Sequence, residues 1–156
     1  MPVLNKILIT VGENHFSNKM MRSLEQIVVQ NYKIHISKSK TIVVWNIIAQ
    51  GNAYNNYQLK SPSIITFGCE QHISQNQRIN FFKSLSRDWI LLTNQHLNDI
   101  LIGAFDETTF NSLLKRNSSH YSLLGKVKYY TSLITQLLTT TLKTGLYTIN
   151  STNKRK

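Results

Sequence analysis

TIVVWNIIAQGNAYNNYQLKSPSIITFG, residues 41–68, opens with a β-prone run of Ile42, Val43, Val44 and Trp45 and closes with another, Ile64, Ile65, Thr66 and Phe67. Between the two, Ile47, Ile48 and Tyr54 have a helix-like spacing, and Lys60-Ser61-Pro62-Ser63 ends the segment as a turn. Two strands about a dozen residues apart, with helical character between them, predict a strand–helix–strand crossover rather than a hairpin.

Upstream, Asn5-Lys6-Ile7-Leu8-Ile9-Thr10-Val11-Gly12 reads as a first strand. The polar stretch 13–26 fits either a short helix, on the spacing of Met20, Met21 and Leu24, or a long irregular loop. Residues 27–36 read as a second strand, because Tyr32, Ile34 and Ile36 alternate with Asn31, Lys33 and His35. Downstream, Trp89-Ile90-Leu91-Leu92-Thr93 reads as a further strand, and Asp99-Ile100-Leu101-Ile102-Gly103 as a hydrophobic finish. The single cysteine, Cys69, permits no intramolecular disulfide and fits a small buried filler. The short apolar run 7–11 lacks a secretory cleavage pattern.

Taken in order, Asn5-Lys6, Gly12, Val29-Gln30-Asn31, Val43-Val44-Trp45, Ile48-Ala49-Gln50, Tyr57, Lys60-Ser61 and Ile64 through Gly68 resemble the bacterial and organellar single-stranded-DNA-binding proteins. The resemblance covers roughly residues 5 to 103. It departs at Gln50, where the family has an acid, and at Ser37-Lys38-Ser39-Lys40, where the family has a long hairpin bearing two tryptophans. The resemblance implies an all-β core over residues 1–104: a five-stranded OB-fold barrel with a short helix between strands three and four. A basic, partly helical C-terminal extension follows over 105–156. Its helix rests on Ser118 or Ser119 as cap and on Leu123, Val127, Tyr130, Ile134, Leu137 and Leu138 at three- and four-residue spacing; its Thr and Tyr content pulls toward strands.

Charge narrows the partners. The chain carries 18 Lys and Arg against 7 Asp and Glu, a net +11, which suits an anionic polymer. Residues 1–104 hold ten Lys and Arg against five acids, and 105–156 hold eight against two. The resemblance implies sequence-tolerant coating of single-stranded DNA, with Trp45, Trp89, Phe81 and Phe82 stacking on bases and Lys33, Lys38, Lys40, Lys60, Lys83 and Arg87 on phosphates. Trp45 has a second reading as a core aromatic. RNA or ribosome binding, or an interaction module without nucleic-acid binding, are the alternatives.

Five scattered histidines, seven acids and no phosphate loop or nucleophile motif point away from an enzyme, a metal or a cofactor. The uncharged run between Lys128 and Lys143 is fourteen residues, short of the about 20 a membrane span needs. The expected partners are therefore a nucleic acid and further copies of the chain, with no membrane and no small-molecule substrate. The AT-rich codon signature, together with the resemblance to small plastid-encoded forms, suggests a plastid or the cytoplasm of an AT-rich bacterium.

Overall fold

The computed structural model describes residues 5–49, 54–55, 58–59, 61–69, 73–106, 108–109, 112 and 122–150. Strand β1 (Asn5–Gly12) sends Ile7, Ile9 and Val11 to one face, where all three are buried, and Leu8 and Thr10 to the other. After it comes a helix, α1 (Asn18–His35), whose first turn is capped by Ser17 Oγ accepting from the Met20 N–H. Such a cap contributes about 1 kcal/mol. This corrects the expectation of a strand over 27–36. Met21, Leu24, Val28 and Tyr32, spaced by three and four, are all buried, whereas Ile34, a member of the alternating set, is 66% exposed. The helical period buries more apolar surface than the alternating one, so it prevails.

Strand β2 (Thr41–Ile48) runs parallel to β1, with Asn5 opposite Thr41 and Gly12 opposite Ile48. A parallel pair needs a long crossover, and α1 is that crossover. The helix expected between Ile47 and Lys60 is absent from the described residues there; β3 (Tyr54–Asn55) and β4 (Gln58–Leu59) form a small antiparallel ladder instead. Strand β5 (Ser63–Cys69) then pairs antiparallel with β1.

Residues 75–93 form one helix, α2 (Gln75–Thr93), and not the expected strand at 89–93. Ser74 and Gln77 make a reciprocal capping box at its start, and Phe81, Leu85 and Trp89, four residues apart, are its buried stripe. Asn94, at φ 56°, ends it in the left-handed conformation that asparagine tolerates. A 3-10 turn at Leu97–Asp99 leads into β6 (Ile100–Asp106), parallel to β5. The apolar spacing from Leu123 onward lies on α3 (Leu123–Thr144), capped by Ser122 rather than Ser118 or Ser119, and Gly145 at φ 72° turns the chain into β7 (Tyr147–Asn150), parallel to β2.

The sheet order is β6-β5-β1-β2-β7. Two strand–helix–strand units, β1-α1-β2 and β5-α2-β6, meet antiparallel at β1 and β5. An open mixed sheet under two helices replaces the expected all-β OB barrel, because the segments read as its second and fifth strands are both helices. The core between sheet and helices is aromatic: Tyr32, Phe67 and Phe81 meet edge to face, with ring centroids 4.9 to 6.3 Å apart. Asn31 Nδ2 donates to Asp88 at 3.0 Å and ties α1 to α2. The opposite face of the sheet carries Leu8, Ile42, Val44, Ile64, Leu101 and Phe105. None of these is buried, and Leu101 is 62% exposed.

Candidate active site

On α1, Arg22, Glu25, Val29 and Lys33 lie three and four residues apart, so they share one side of the helix, away from the core stripe. This side faces Thr41 at the start of β2 and Gly145-Leu146 at the turn into β7, leaving a groove of about 690 Å³. Small-molecule sites are roughly 300–1,000 Å³. Leu146, 1% exposed, and Val29 give the groove apolar lining, while Arg22 and Lys33 supply cations.

Glu25 is the acid of the groove. Trp45 Nε1, from beneath, donates to Glu25 Oε2 at 3.4 Å. Burial raises the Glu25 carboxyl above its ordinary value, and the indole N–H bond opposes that shift without cancelling it. A carboxylate made more basic in a partly apolar cleft is a better proton acceptor than one in water.

Asn5 stands across the β1–β2 ladder from Thr41, at the same end of the sheet. It is 4% exposed, and its Nδ2 has no hydrogen-bond partner among the described residues. A buried donor left unpaired costs about 1–3 kcal/mol. The fold thus holds an unused donor beside a groove residue.

A second polar cluster is structural. Gln95 Oε1 accepts from Trp89 Nε1 and from Ser63 Oγ, both at 2.8 Å, while its Nε2 donates to His15 Nε2 at 2.9 Å and to the Ser61 carbonyl at 3.2 Å. All of Gln95's polar capacity is spent on joining the end of β1, the start of β5 and the end of α2. Burial lowers the pKa of His15, in keeping with its role as a neutral acceptor.

The nine described residues among those expected to bind nucleic acid do not form one site; only Phe82, Lys83 and Arg87 share a groove, along α2. Trp45, Trp89 and Phe81 are fully buried, so none offers a ring face for a base, and Phe82 is partly buried against the same core. Trp45 is the core aromatic of its second reading. Lys33 lines the groove, Lys38 and Lys40 lie in the link from α1 to β2, and Lys83 and Arg87 lie along α2, where Arg87 pairs with Asp88 at 3.0 Å. Lys60, Gln50 and Tyr57 lie outside the described residues. Burial pushes the Cys69 thiol up to about 11, leaving it protonated at neutral pH. Among the described residues, no group of three His, Cys, Asp or Glu could hold a metal ion.

No protein-family model matches the chain, and no curated protein matches it. Solved structures do. Native Ps01740 is similar at 16% identity with a TM-score of 0.60, over 65% of this chain and 92% of that one. Pt0534 inactivated by 2-oxo-3-pentynoate is similar at 14% identity and a TM-score of 0.59, over 65% and 84%. A fused 4-OT wild-type asymmetric trimer is similar at 12% identity and a TM-score of 0.58, over 65% and 85%. These likenesses show that 65% of the chain shares the fold of these proteins. The likeness overturns the resemblance to single-stranded-DNA-binding proteins, the DNA-coating function drawn from it and the exclusion of an enzyme.

In the sequence Arg22 and Glu25 fall in the stretch that fits a short helix or a loop, and Val29 and Lys33 in the expected strand. Their spacing identifies a shared face only once 18–35 is a single helix.

Proposed function

We propose that this chain is a tautomerase-like enzyme that moves a proton between carbons of an enolisable 2-oxo acid in the groove of α1. The observation that carries the reading is Glu25: a partly buried carboxyl of raised pKa, one helical turn from Arg22. The tautomerase-like fold is the second support.

In the reaction, Arg22 takes the substrate carboxylate as a charge-assisted pair. Ionised Glu25 removes a proton from the carbon next to the ketone; the C–H electron pair becomes the enolate double bond, and negative charge gathers on the ketone oxygen. Protonated Glu25 then returns the proton at another carbon of the conjugated system, and the carbonyl or its conjugated isomer re-forms. The Nδ2 N–H of Asn5 is the candidate donor to the developing oxyanion. No electrons leave the substrate and no co-reactant is consumed.

Tautomerase-like neighbours include trimers, and we read this chain too as a homo-oligomer. Parallel strands are ordinarily covered on both faces. The uncovered sheet face, with Leu8, Ile42, Val44, Ile64 and Phe105, is where copies would meet.

The test is incubation with 2-oxo-3-pentynoate, an alkynyl ketone that alkylates nucleophilic groups, alongside a ketonisation assay on simple 2-hydroxy-dienoates. Turnover should fall at least about a hundred-fold in Glu25→Gln, in line with loss of a general base, and Asn5→Leu should lower kcat without lowering thermal stability. An adduct mapped to another segment, with Glu25→Gln fully active, would remove the groove from the mechanism. Absence of both turnover and adduct would overturn the enzyme reading.

A further inference from the structure

Among the described residues, helix α3 meets β7 along one side. Thr140 Oγ1 accepts from the Thr148 N–H at 3.2 Å and lies 3.1 Å from the Thr148 carbonyl, and Gln136 Oε1 accepts from the Asn150 N–H at 3.1 Å. The polar side of the helix thus lies along the outer edge of β7. With about 3.6 residues per turn, Leu123, Val127, Tyr130, Ile134 and Leu138 fall together on a different side. That stripe is open: Leu123 is 82% exposed, Val127 60%, Ile134 57% and Leu138 60%.

The charges of α3 are of one sign. Lys126 and Lys128 stand on the two flanks of the apolar stripe, Lys143 lies in the last turn, and the helix has no Asp or Glu. Two copies packing through this stripe would bring lysines to lysines if parallel, and in either direction the helix has no acid to pair them, unlike helices that associate through complementary flanking charges. Among the described residues no helix is long and apolar enough to cross a membrane. An apolar stripe edged by lysines, on a helix that does not span, is the pattern of a segment lying in the plane of a bilayer interface with lysine amines reaching the headgroups.

We infer that α3 docks this protein on an anionic lipid surface, its Leu123–Leu138 stripe entering the headgroup boundary and Lys126 and Lys128 contacting lipid phosphates. The helix supplies the contact, so the peripheral association differs in kind from the membrane span that the fourteen-residue uncharged run excludes. It is independent of the chemistry proposed for the groove.

Co-sedimentation of the full chain with vesicles of phosphatidylcholine alone, and of phosphatidylcholine mixed with phosphatidylglycerol, tests it. The mixed vesicles should retain the protein and the neutral ones should not, with retention falling as salt rises. Each lysine near an anionic leaflet contributes roughly five-fold in binding, so the double variant Lys126→Gln/Lys128→Gln should bind about 25-fold more weakly. Ile134→Asp should lose vesicle binding while keeping its helical circular dichroism and its solution mass. Failure to sediment with mixed vesicles, or equal binding to neutral ones, overturns the inference. A change of solution mass in Ile134→Asp does so too, by showing that a second copy covers the stripe.

Discussion

At the scale of single residues, hydrogen-bond direction decides more than residue type. His15 is one of five scattered histidines with no motif around it. In the fold its Nε2 receives a bond from Gln95 Nε2, whose orientation is fixed because Gln95 Oε1 already accepts from Trp89 and Ser63. Protonating His15 would set donor against donor. Its folded pKa lies below the ordinary 6.5 through burial, so the unfolded chain binds the proton first. The stability His15 contributes is full above pH 6.5 and is lost as pH falls through the lower folded value. The urea midpoint should therefore drop between pH 7.5 and pH 5.5. His15→Gln, which can accept but cannot titrate, should flatten that drop, and an unchanged slope would remove His15 from it. Glu25 acts with the opposite sign, since its raised pKa favours the protonated folded form as pH falls, so the difference between the two proteins, rather than either profile alone, reports His15.

At the scale of elements, the fold solves the problem of its last strand with a helix. β7 is four residues long and uses one edge for its ladder with β2, leaving the other as an open template for further strands. Thr140 and Gln136 of α3 occupy that edge. Thr140→Val keeps the shape and removes the hydroxyl, so it should cost about 1–2 kcal/mol. Amide exchange at Thr148 should quicken while that at Ile9 stays slow. Unchanged exchange at Thr148 would mean that the edge is protected in another way. Thr residues recur through α3, at 131, 135, 139, 140, 141 and 144, a composition that favours strands. The helix tolerates them because several hydroxyls bond to the carbonyl four residues before, as Thr131 does to Val127 and Thr135 to Thr131, both at 2.8 Å.

At the scale of the molecule, the uncovered sheet face sets the next expectation. Leu8, Val44 and Tyr147 lie side by side across β1, β2 and β7, and Thr10 lies beside Ile64. An apolar sheet face of this extent marks an association surface. Val44→Lys should therefore reduce the solution mass from a multiple of 18.0 kDa to that of one chain, measured by light scattering. A wild-type protein that already scatters as a single chain would show that the face is not covered by copies.

The chain by itself determined where its apolar runs lie and which side of each faces the core. Ile7, Ile9 and Val11, then Val43 and Trp45, then Ile65 and Phe67 alternate in the sequence as they do in the sheet, because side chains on a strand point to opposite faces in turn. The helix caps at Ser17 and Ser74, though each is a local bond from a hydroxyl to the third following N–H, are not among the expected ones. Residues 27–36, whose alternation predicts a period of two, follow one of 3.6. Tyr32 fits both, and only the neighbours Phe67 and Phe81 that bury it select the helix. Once 18–35 and 75–93 are helices, β1 and β2 are parallel, β5 and β6 are parallel, and a barrel is excluded. The candidate site belongs wholly to that second stage. Glu25 gains its basicity from burial, against the opposing bond from Trp45, and Asn5 is left unpaired beside Thr41, because the tertiary structure removes water from both. Solvent exclusion depends on contacts between segments far apart in the chain, and no local pattern encodes it.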